Sequence, residues 1–174
     1  LDHLSGLGHT QIAAFNTHPF VPAIEERLRQ WQQWIDGHGL GGELINEAVA
    51  PRADARDKAY ELARDRLASG QGLGGTAVLC TTMPVALGVM RAINEHGLTI
   101  GRDISICVVN DEGMARFLNP PLTSTCLANP TTAVREAVEW MTGSAWNGPL
   151  LKCYKEVDLF IGGSTSAPSH TLTT

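Results

Sequence analysis

Apolar and polar positions alternate along the chain with two periods, one typical of strands and one typical of helices. A short apolar run at 11–15 predicts a buried strand, after which apolar residues recur every three or four positions. Pro22 suits the first turn of this second element, a helix, and Gly37 suits its end. The same alternation predicts strands at 43–49 and 76–80, and helices at 54–68 and 84–96.

The second half of the chain continues this pattern. Residues 104–109 are almost wholly apolar, as expected of a strand whose two faces are covered by helices. Asn129 is a candidate cap for a further helix reaching Met141, and a last strand is expected within 150–161. The order β-α-β-α-β-α-β predicts an α/β fold with a doubly wound parallel sheet. Ligands of such sheets bind beyond the carboxyl ends of the strands.

Composition places the chain among ordinary globular proteins. Of its 174 residues, 43% are hydrophobic and 18% are charged, with a net charge of −5. An acidic chain without a basic cluster is a poor candidate for direct nucleic-acid binding. Its apolar runs are far shorter than the ~20 residues that span a bilayer. Because no signal peptide is visible and residue 1 is leucine, we expect a cytoplasmic fragment of a longer protein, without membrane contact.

The residues that usually form catalytic, metal or phosphate sites do not have the spacing that such sites require. The four cysteines lie far apart, which favours reduced thiols, and the six histidines lack metal-binding spacing. The G-x-G-x-x-G motif at 70–75 follows a predicted helix and precedes a predicted strand, so we interpret it as a connection rather than a phosphate loop. Asp111 and Glu112 are adjacent acids that point apart on an extended chain. We therefore expect a non-enzymatic domain with no metal and no cofactor.

Two places do suggest a binding site. Arg27 has no acid within helical reach, so its guanidinium is free to reach a ligand oxygen or an acid from another segment. Asn110, Asp111 and Glu112 directly follow the most apolar predicted strand, where ligand sites form and where turns also form. Both alternatives stay open at each place.

Five segments resemble, in order and spacing, the LacI/GalR family of bacterial transcription repressors. They are Gly8-His9 with Ile12-Ala13, Arg27-Leu28 with Trp31, the run Val85 to Ile93, Gly97-Leu98 with Gly101 to Ser105, and Asn119 to Ser124. The resemblance covers roughly residues 1–168. Each motif alone is weak, but five in sequence order point clearly to this family.

The resemblance implies a type I periplasmic-binding-protein-like fold, in which two α/β lobes enclose a small effector. Residues 1–124 would form the second, C-terminal lobe, and 125–146 would cross to the first lobe, which is largely missing. Residues 147–161 would return as a strand, and the Gly-, Ser- and Thr-rich stretch 162–174 is expected to be a flexible tail. DNA binding would reside in an N-terminal helix-turn-helix domain absent from this chain.

The resemblance also implies a function. A small polar metabolite, typically a sugar, would bind between the lobes and allosterically control operator binding by a homodimer. Arg27 corresponds to the arginine that grips effector hydroxyls. Asn110 stands where the family uses an acid, and Asp111 follows it. Thr82 stands where relatives often have Asn-Asp before the next helix. We therefore expect an effector site formed by Arg27, Asn110, Asp111 and Thr82.

Two alternatives remain. The helix at 84–96 is apolar around more than one face, which fits either a dimer interface, as in the family, or a helix wedged in the core of one chain. The whole chain could instead be a solute-binding protein of a transport system, which has the same fold. An α/β enzyme is less compatible with the sequence, because no nucleophile, acid–base pair or phosphate loop is found.

Overall fold

The computed structural model describes residues 1–125, 131–143 and 157–169. The helices are α1 (Asp2–Gly6), α2 (Pro22–His38), α3 (Ala55–Ala68), α4 (Met83–Glu95) and α5 (Thr131–Thr142), with a 3₁₀ turn at Ala115–Phe117. The strands are β1 (Ile12–Asn16), β2 (Leu44–Asn46), β3 (Ala77–Cys80), β4 (Ser105–Val109), β5 (Thr123–Thr125) and β6 (Leu159–Phe160).

The strands form one sheet in the order β2-β1-β3-β4-β5-β6. The first five run parallel, and β6 pairs with β5 in the antiparallel direction. The predicted α/β class with a doubly wound, mainly parallel sheet is therefore confirmed. The last predicted strand differs, because only Leu159–Phe160 is a strand within the described part of 150–161. It lies at the sheet edge, where an antiparallel strand on a parallel sheet is common.

Helices cover both faces of the sheet, because successive side chains of a strand point to opposite faces. On one face, Phe15, Val78 and Ile106 pack in a buried cluster with residues of α3 and α4. On the other face, Ile12 and Ala14 pack with the buried stripe of α2 and with Leu4 of α1. These two layers hold the strand ends in fixed positions.

The broad apolar surface of α4 is buried within the chain. Gly88 of α4 lies so close to α3 that a Cβ there would overlap the Arg56 carbonyl oxygen. Ala59 and Ala63 of α3 are fully buried, and such small side chains allow the two helices to approach closely. Of the two alternatives, the structure favours the wedged core helix for Val85, Val89, Met90 and Ile93, which are buried in one chain, whereas Leu87 is only partly buried.

Several element boundaries differ from those predicted. Helix α2 continues through Gly37 to His38 because Gly39, with φ of 61°, adopts the left-handed conformation that ends it. Strand β2 has three residues rather than the seven predicted. Both α1 and β5 were not predicted, since each is too short to show a periodic pattern. The predicted cap Asn129 lies outside the described residues.

The end of the described chain corrects another expectation. Residues 162–169, expected to belong to a flexible tail, are tied to the sheet. Ser164 is fully buried; its Oγ donates to the Ile106 carbonyl at 2.7 Å and accepts from the Thr123 N–H at 2.8 Å. The Gly, Ser and Thr composition that suggested flexibility here supplies compact hydroxyl groups for these hydrogen bonds.

Within the part of the chain that the structure describes, no helix is both long enough and apolar enough to cross a bilayer. Cys80 and Cys107 are buried free thiols, as expected, and burial raises the pKa of Cys107 to about 11. The other two cysteines lie outside the described residues.

Candidate functional site

Polar side chains collect at the carboxyl edge of the sheet, where the parallel strands end together. Asn16 closes β1, Asn46 closes β2, and Thr81 follows β3. Asn110 follows β4, and Thr125 closes β5. Since the carboxyl ends of parallel strands lie at one edge, residues far apart in sequence meet here.

Arg27 reaches this edge from α2. It precedes Leu28 on the helix, at the flank of the stripe by which Ile24, Leu28 and Trp31 are buried against the sheet. Its Nη1 donates to the Thr81 carbonyl at 2.6 Å. The guanidinium is half-buried, and burial lowers the pKa of Arg27. Of the two alternatives for Arg27, a ligand oxygen or an acid from another segment, no acid bonds it among the described residues, where its hydrogen bond goes to a neutral carbonyl.

A cavity of about 390 Å³ opens beside Arg27 on the α2 face of the sheet. Its lining is mostly apolar and includes Trp31, Leu79 and Val109, with Thr125 at the strand end. Among the described residues that line it, both acids already have partners. Glu26 accepts hydrogen bonds from Arg29 and Gln30, and Asp2 accepts one from the Trp34 indole at 2.8 Å.

Asn16 organises a buried hydrogen-bond network at this edge that the sequence analysis missed. Its Oδ1 accepts from Thr81 Oγ1 at 2.6 Å and from the His18 N–H at 3.2 Å. Its Nδ2 donates to Asn46 Oδ1 at 2.9 Å. The network joins the ends of three neighbouring strands. The sequence feature that could have predicted this network is the polar residue at the end of each apolar run that forms a strand.

Asn110 adopts a left-handed backbone conformation, with φ of 63°. Asparagine tolerates this conformation better than most residues do. Its N–H donates to the Thr125 carbonyl at 2.9 Å, which fixes the loop to β5. Its side chain is half-exposed and makes no hydrogen bond within the described segments. An unpaired amide at a strand end can both donate to and accept from a ligand.

Asp111 is placed differently from its neighbour. It is 5% exposed, and its carboxylate accepts from Ser124 Oγ at 2.8 Å and from the Gly113 N–H at 2.9 Å. These bonds hold the turn after β4 and attach it to β5. Of the two alternatives for this residue, the structure favours the turn.

Thr82 lies at the N-cap of α4 without capping it. Its Oγ1 is buried and has no hydrogen-bond partner in the part of the chain that is described. A buried hydroxyl without a partner is unusual and costs about 1–3 kcal/mol. The edge therefore holds three groups with unused hydrogen-bonding capacity: Arg27, Asn110 and Thr82.

A second, larger groove of about 880 Å³ lies at the opposite, amino edge of the sheet. It is lined by the glycine-rich connection at 70–75 together with Gln11, His96 and Arg102. The connection joins α3 to β3, as predicted, and does not open a helix. Groups of three or more residues able to hold a metal ion are absent from the described residues.

Comparison with known proteins yields one consistent group. Residues 1–151 match the family of periplasmic binding protein-like domains. The HTH-type transcriptional regulator MalR of Streptomyces coelicolor is 30% identical, over 97% of this chain and 49% of its own. The lactose operon repressor of Escherichia coli is 29% identical, over 71% of this chain and 33% of its own. A dimeric Lac repressor structure superposes with a TM-score of 0.79 at 27% identity, over 97% of this chain and 60% of that one.

Proposed function

The chain belongs to the LacI/GalR family of transcriptional regulators and carries its periplasmic binding protein-like domain, and from this premise we propose that it is an effector-binding lobe for a small polar metabolite. The relatives named above are regulators and not enzymes, which confirms the expectation of a non-enzymatic domain. The chain spans about half the length of the first of these relatives, 49%. DNA binding and its control are therefore part of the proposal.

One observation carries the proposed site. Arg27 is half-buried at the carboxyl edge, beside a cavity, and its only hydrogen bond within the described chain is to a carbonyl. A guanidinium has five N–H donors, so most of them are available to a ligand. Asn110 would add an amide from the loop after β4, whereas the hydroxyl of Thr82, also expected in the site, is buried and out of reach of a ligand in this structure. Asp111 would act through the turn that positions Asn110.

A sugar suits such an edge because its hydroxyls both donate and accept hydrogen bonds. The proposal of a sugar-like ligand is supported by similarity to a lactose operon repressor and to a Lac repressor structure bound to ONPG. Binding would shift an equilibrium between two arrangements of the effector domain that differ in operator affinity. Control of operator binding would therefore depend on how much more tightly the effector binds one of these two arrangements than the other.

We also propose that the protein acts as a homodimer, with DNA bound through an N-terminal helix-turn-helix domain. The support does not come from α4, whose residues Val85, Val89, Met90 and Ile93 are buried within the chain. It comes from the loop after β4, where Phe117 is 74% exposed and Met114 is exposed beside it. Large apolar side chains exposed together are typical of interaction surfaces.

The test is a thermal-shift screen of the natural-length protein against pentoses, hexoses, disaccharides and nucleosides. A ligand that binds the folded state raises the melting temperature. The compound that raises it most should also change the affinity for the DNA upstream of the protein's own gene, measured by fluorescence anisotropy. A compound that binds without changing DNA affinity would contradict the regulatory role.

A further inference from the structure

Residues 162–169, which follow β6, cross the amino edge of the sheet as a strap. The first part of the strap is anchored to β4 and β5 by the buried hydroxyl of Ser164. The second part, 165–169, lies against the loop between α1 and β1, where a Cβ on Gly8 would come within 3.8 Å of Pro168. The strap is therefore attached to the lobe at two places.

Two histidines contribute to the second attachment. The Nε2 atom of His9 donates to the Ser166 carbonyl at 2.8 Å, and Nε2 of His3 lies 2.9 Å from the Thr165 hydroxyl. The Ser166 N–H donates to Ser105 Oγ at 3.1 Å, beside the same imidazole of His9. This half of the strap is therefore held in part by side chains that bind protons between pH 5 and pH 8.

His9 is the more important of the two, because it is 1% exposed. The groups that bond its ring, the hydroxyls of Thr76 and Ser105 and the Ser166 carbonyl, are all neutral. Burial lowers the pKa of His9 below its ordinary 6.5, the bond to the carbonyl opposes this only in part, and positive charge on His3 lowers it further. A proton on this ring is therefore bound more weakly under the strap than in water.

The charged side chains of the elements around His9 are bonded to other groups. In the turn before β4, Asp103 pairs with Arg102 at 2.8 Å. In α1, Asp2 accepts a hydrogen bond from an indole N–H of α2 at 2.8 Å. Burial also lowers the pKa of His3, the other titratable group of α1. Protonation of either histidine therefore opposes the closed position of the strap.

We propose that residues 165–169 form a latch that opens when His9 takes up a proton from water. The charged imidazole becomes hydrated and releases Ser166, while the Ser164 anchor and the pairing of β6 with β5 remain. The open form binds protons more readily than the closed form. The free energy that closes the latch is therefore fully present above pH 6.5 and is lost as the pH falls through the closed-state pKa.

Nuclear magnetic resonance of the isotope-labelled, natural-length protein at pH 5.5 and pH 7.5 tests the latch. Each amide exchange rate is divided by that of an unstructured peptide at the same pH. The corrected rate at Ser166 should be at least about threefold higher at pH 5.5, because the open form has the ordinary histidine pKa. The rate at Ile106, whose N–H donates to the Ser164 carbonyl at 2.9 Å, should change little. Equal increases at both residues would overturn the latch, since they would indicate opening of the whole edge.

Substitutions assign the pH dependence to His9. His9→Gln removes the group that binds the proton but keeps a side chain that can donate to the Ser166 carbonyl. In this variant the rise in the corrected rate at Ser166 should fall below about twofold. His3→Gln should reduce the rise by less. His96→Gln is the matched control, since His96 is exposed on the same side of the fold, and it should keep the full rise. A rise that survives His9→Gln would overturn the proposal.

The ring titration of His9 in the unsubstituted protein decides the question if His9→Gln does not fold. Its midpoint, followed by the signal of the Cε1–H group, should lie below pH 6.5, and exchange at Ser166 should increase over the same pH range. A midpoint at or above pH 6.5, or a titration that leaves exchange at Ser166 unchanged, would overturn the latch. These outcomes are independent of the proposed effector site, which lies at the opposite edge of the sheet.

Discussion

The two edges of the sheet both carry buried polar groups, but they use them differently. At the amino edge, His9 is 1% exposed and lies between Thr76, Ser105 and the Ser166 carbonyl. Since that carbonyl can only accept, Nε2 donates to it at 2.8 Å, and Nδ1 lies 2.8 Å from Thr76 Oγ1. Both ring nitrogens therefore have partners within the chain.

At the carboxyl edge, the Asn16 network is satisfied in the same way, yet Arg27, Asn110 and Thr82 keep unused capacity. Polar groups that satisfy one another hold a fold together. The open N–H groups of Arg27 and the amide of Asn110 are available to a ligand, whereas the Thr82 hydroxyl is buried. By this criterion the proposed binding site lies beside Arg27, in the smaller cavity, although the groove at the amino edge is larger.

The largest loss of stability is expected when the hydrogen bonds of His9 at the amino edge are removed. His9→Ala removes one hydrogen-bond partner from the Ser166 carbonyl and from the Thr76 and Ser105 hydroxyls and creates a cavity, so the free energy of unfolding should fall by about 3 kcal/mol. Urea unfolding followed by circular dichroism measures it. His96→Ala is the control, since His96 is exposed on the same side of the fold, and a similar loss there would contradict a specific role for His9.

A smaller loss of stability is expected from the satisfied network of the carboxyl edge. Asn16→Ala removes the acceptor of Thr81 Oγ1 and the donor to Asn46, which should lower the free energy of unfolding by about 2 kcal/mol. Chemical denaturation checks this value. An unchanged stability would show that the network is not structural and would weaken the contrast between satisfied and open groups.

Substitution of Arg27, unlike that of His9 or Asn16, should change ligand affinity more than stability. Arg27→Gln removes one hydrogen bond to a carbonyl, so stability should change by at most about 1 kcal/mol. Affinity for the tightest-binding compound should fall at least about tenfold, equivalent to 1.4 kcal/mol. Calorimetric titration and urea unfolding of the same sample measure both. A variant that loses stability but keeps its affinity would place Arg27 with the structural groups.

The smallest effect is expected in the pH dependence of the stability that His9 contributes at the amino edge. Burial lowers the pKa of His9 from its ordinary 6.5, and burial likewise lowers the pKa of His3 nearby. The unfolded chain therefore binds protons more readily, so this stability is fully present above pH 6.5 and is lost as the pH falls through the folded-state pKa. Unfolding of His9→Gln between pH 5.5 and 7.5 should show a shallower slope, and an unchanged slope would exclude His9 as its source.

Long periodic segments were predictable from sequence. The stripe of α2 and the apolar β4 were identified because burial imposes a regular pattern on many residues at once. The three residues of β5 and the docking of 162–169 were not predictable, because their stability comes from partners distant in the chain. The close packing of α3 on α4 was not predictable from sequence for the same reason.

The candidate site was predicted only in part. Arg27 was identified by the absence of a local acid; it bonds the Thr81 carbonyl after β3, and its role toward a ligand stays a prediction. Asn110 and Asp111 are adjacent in sequence, yet one keeps an open side chain and the other is buried in a turn. The left-handed backbone of Asn110 and the hydrogen bonds of Asp111 to Gly113 and Ser124 are not revealed by a residue pattern.

Hydrogen exchange with mass spectrometry tests the central claim most directly, by comparing the natural-length protein with and without its tightest-binding compound. We predict protection of the loops at the carboxyl edge, residues 16–20, 81–84 and 109–114, with little change at 70–76 and 98–104 of the amino edge. Protection confined to the amino-edge groove would contradict the claim that open polar groups at the strand ends form the effector site.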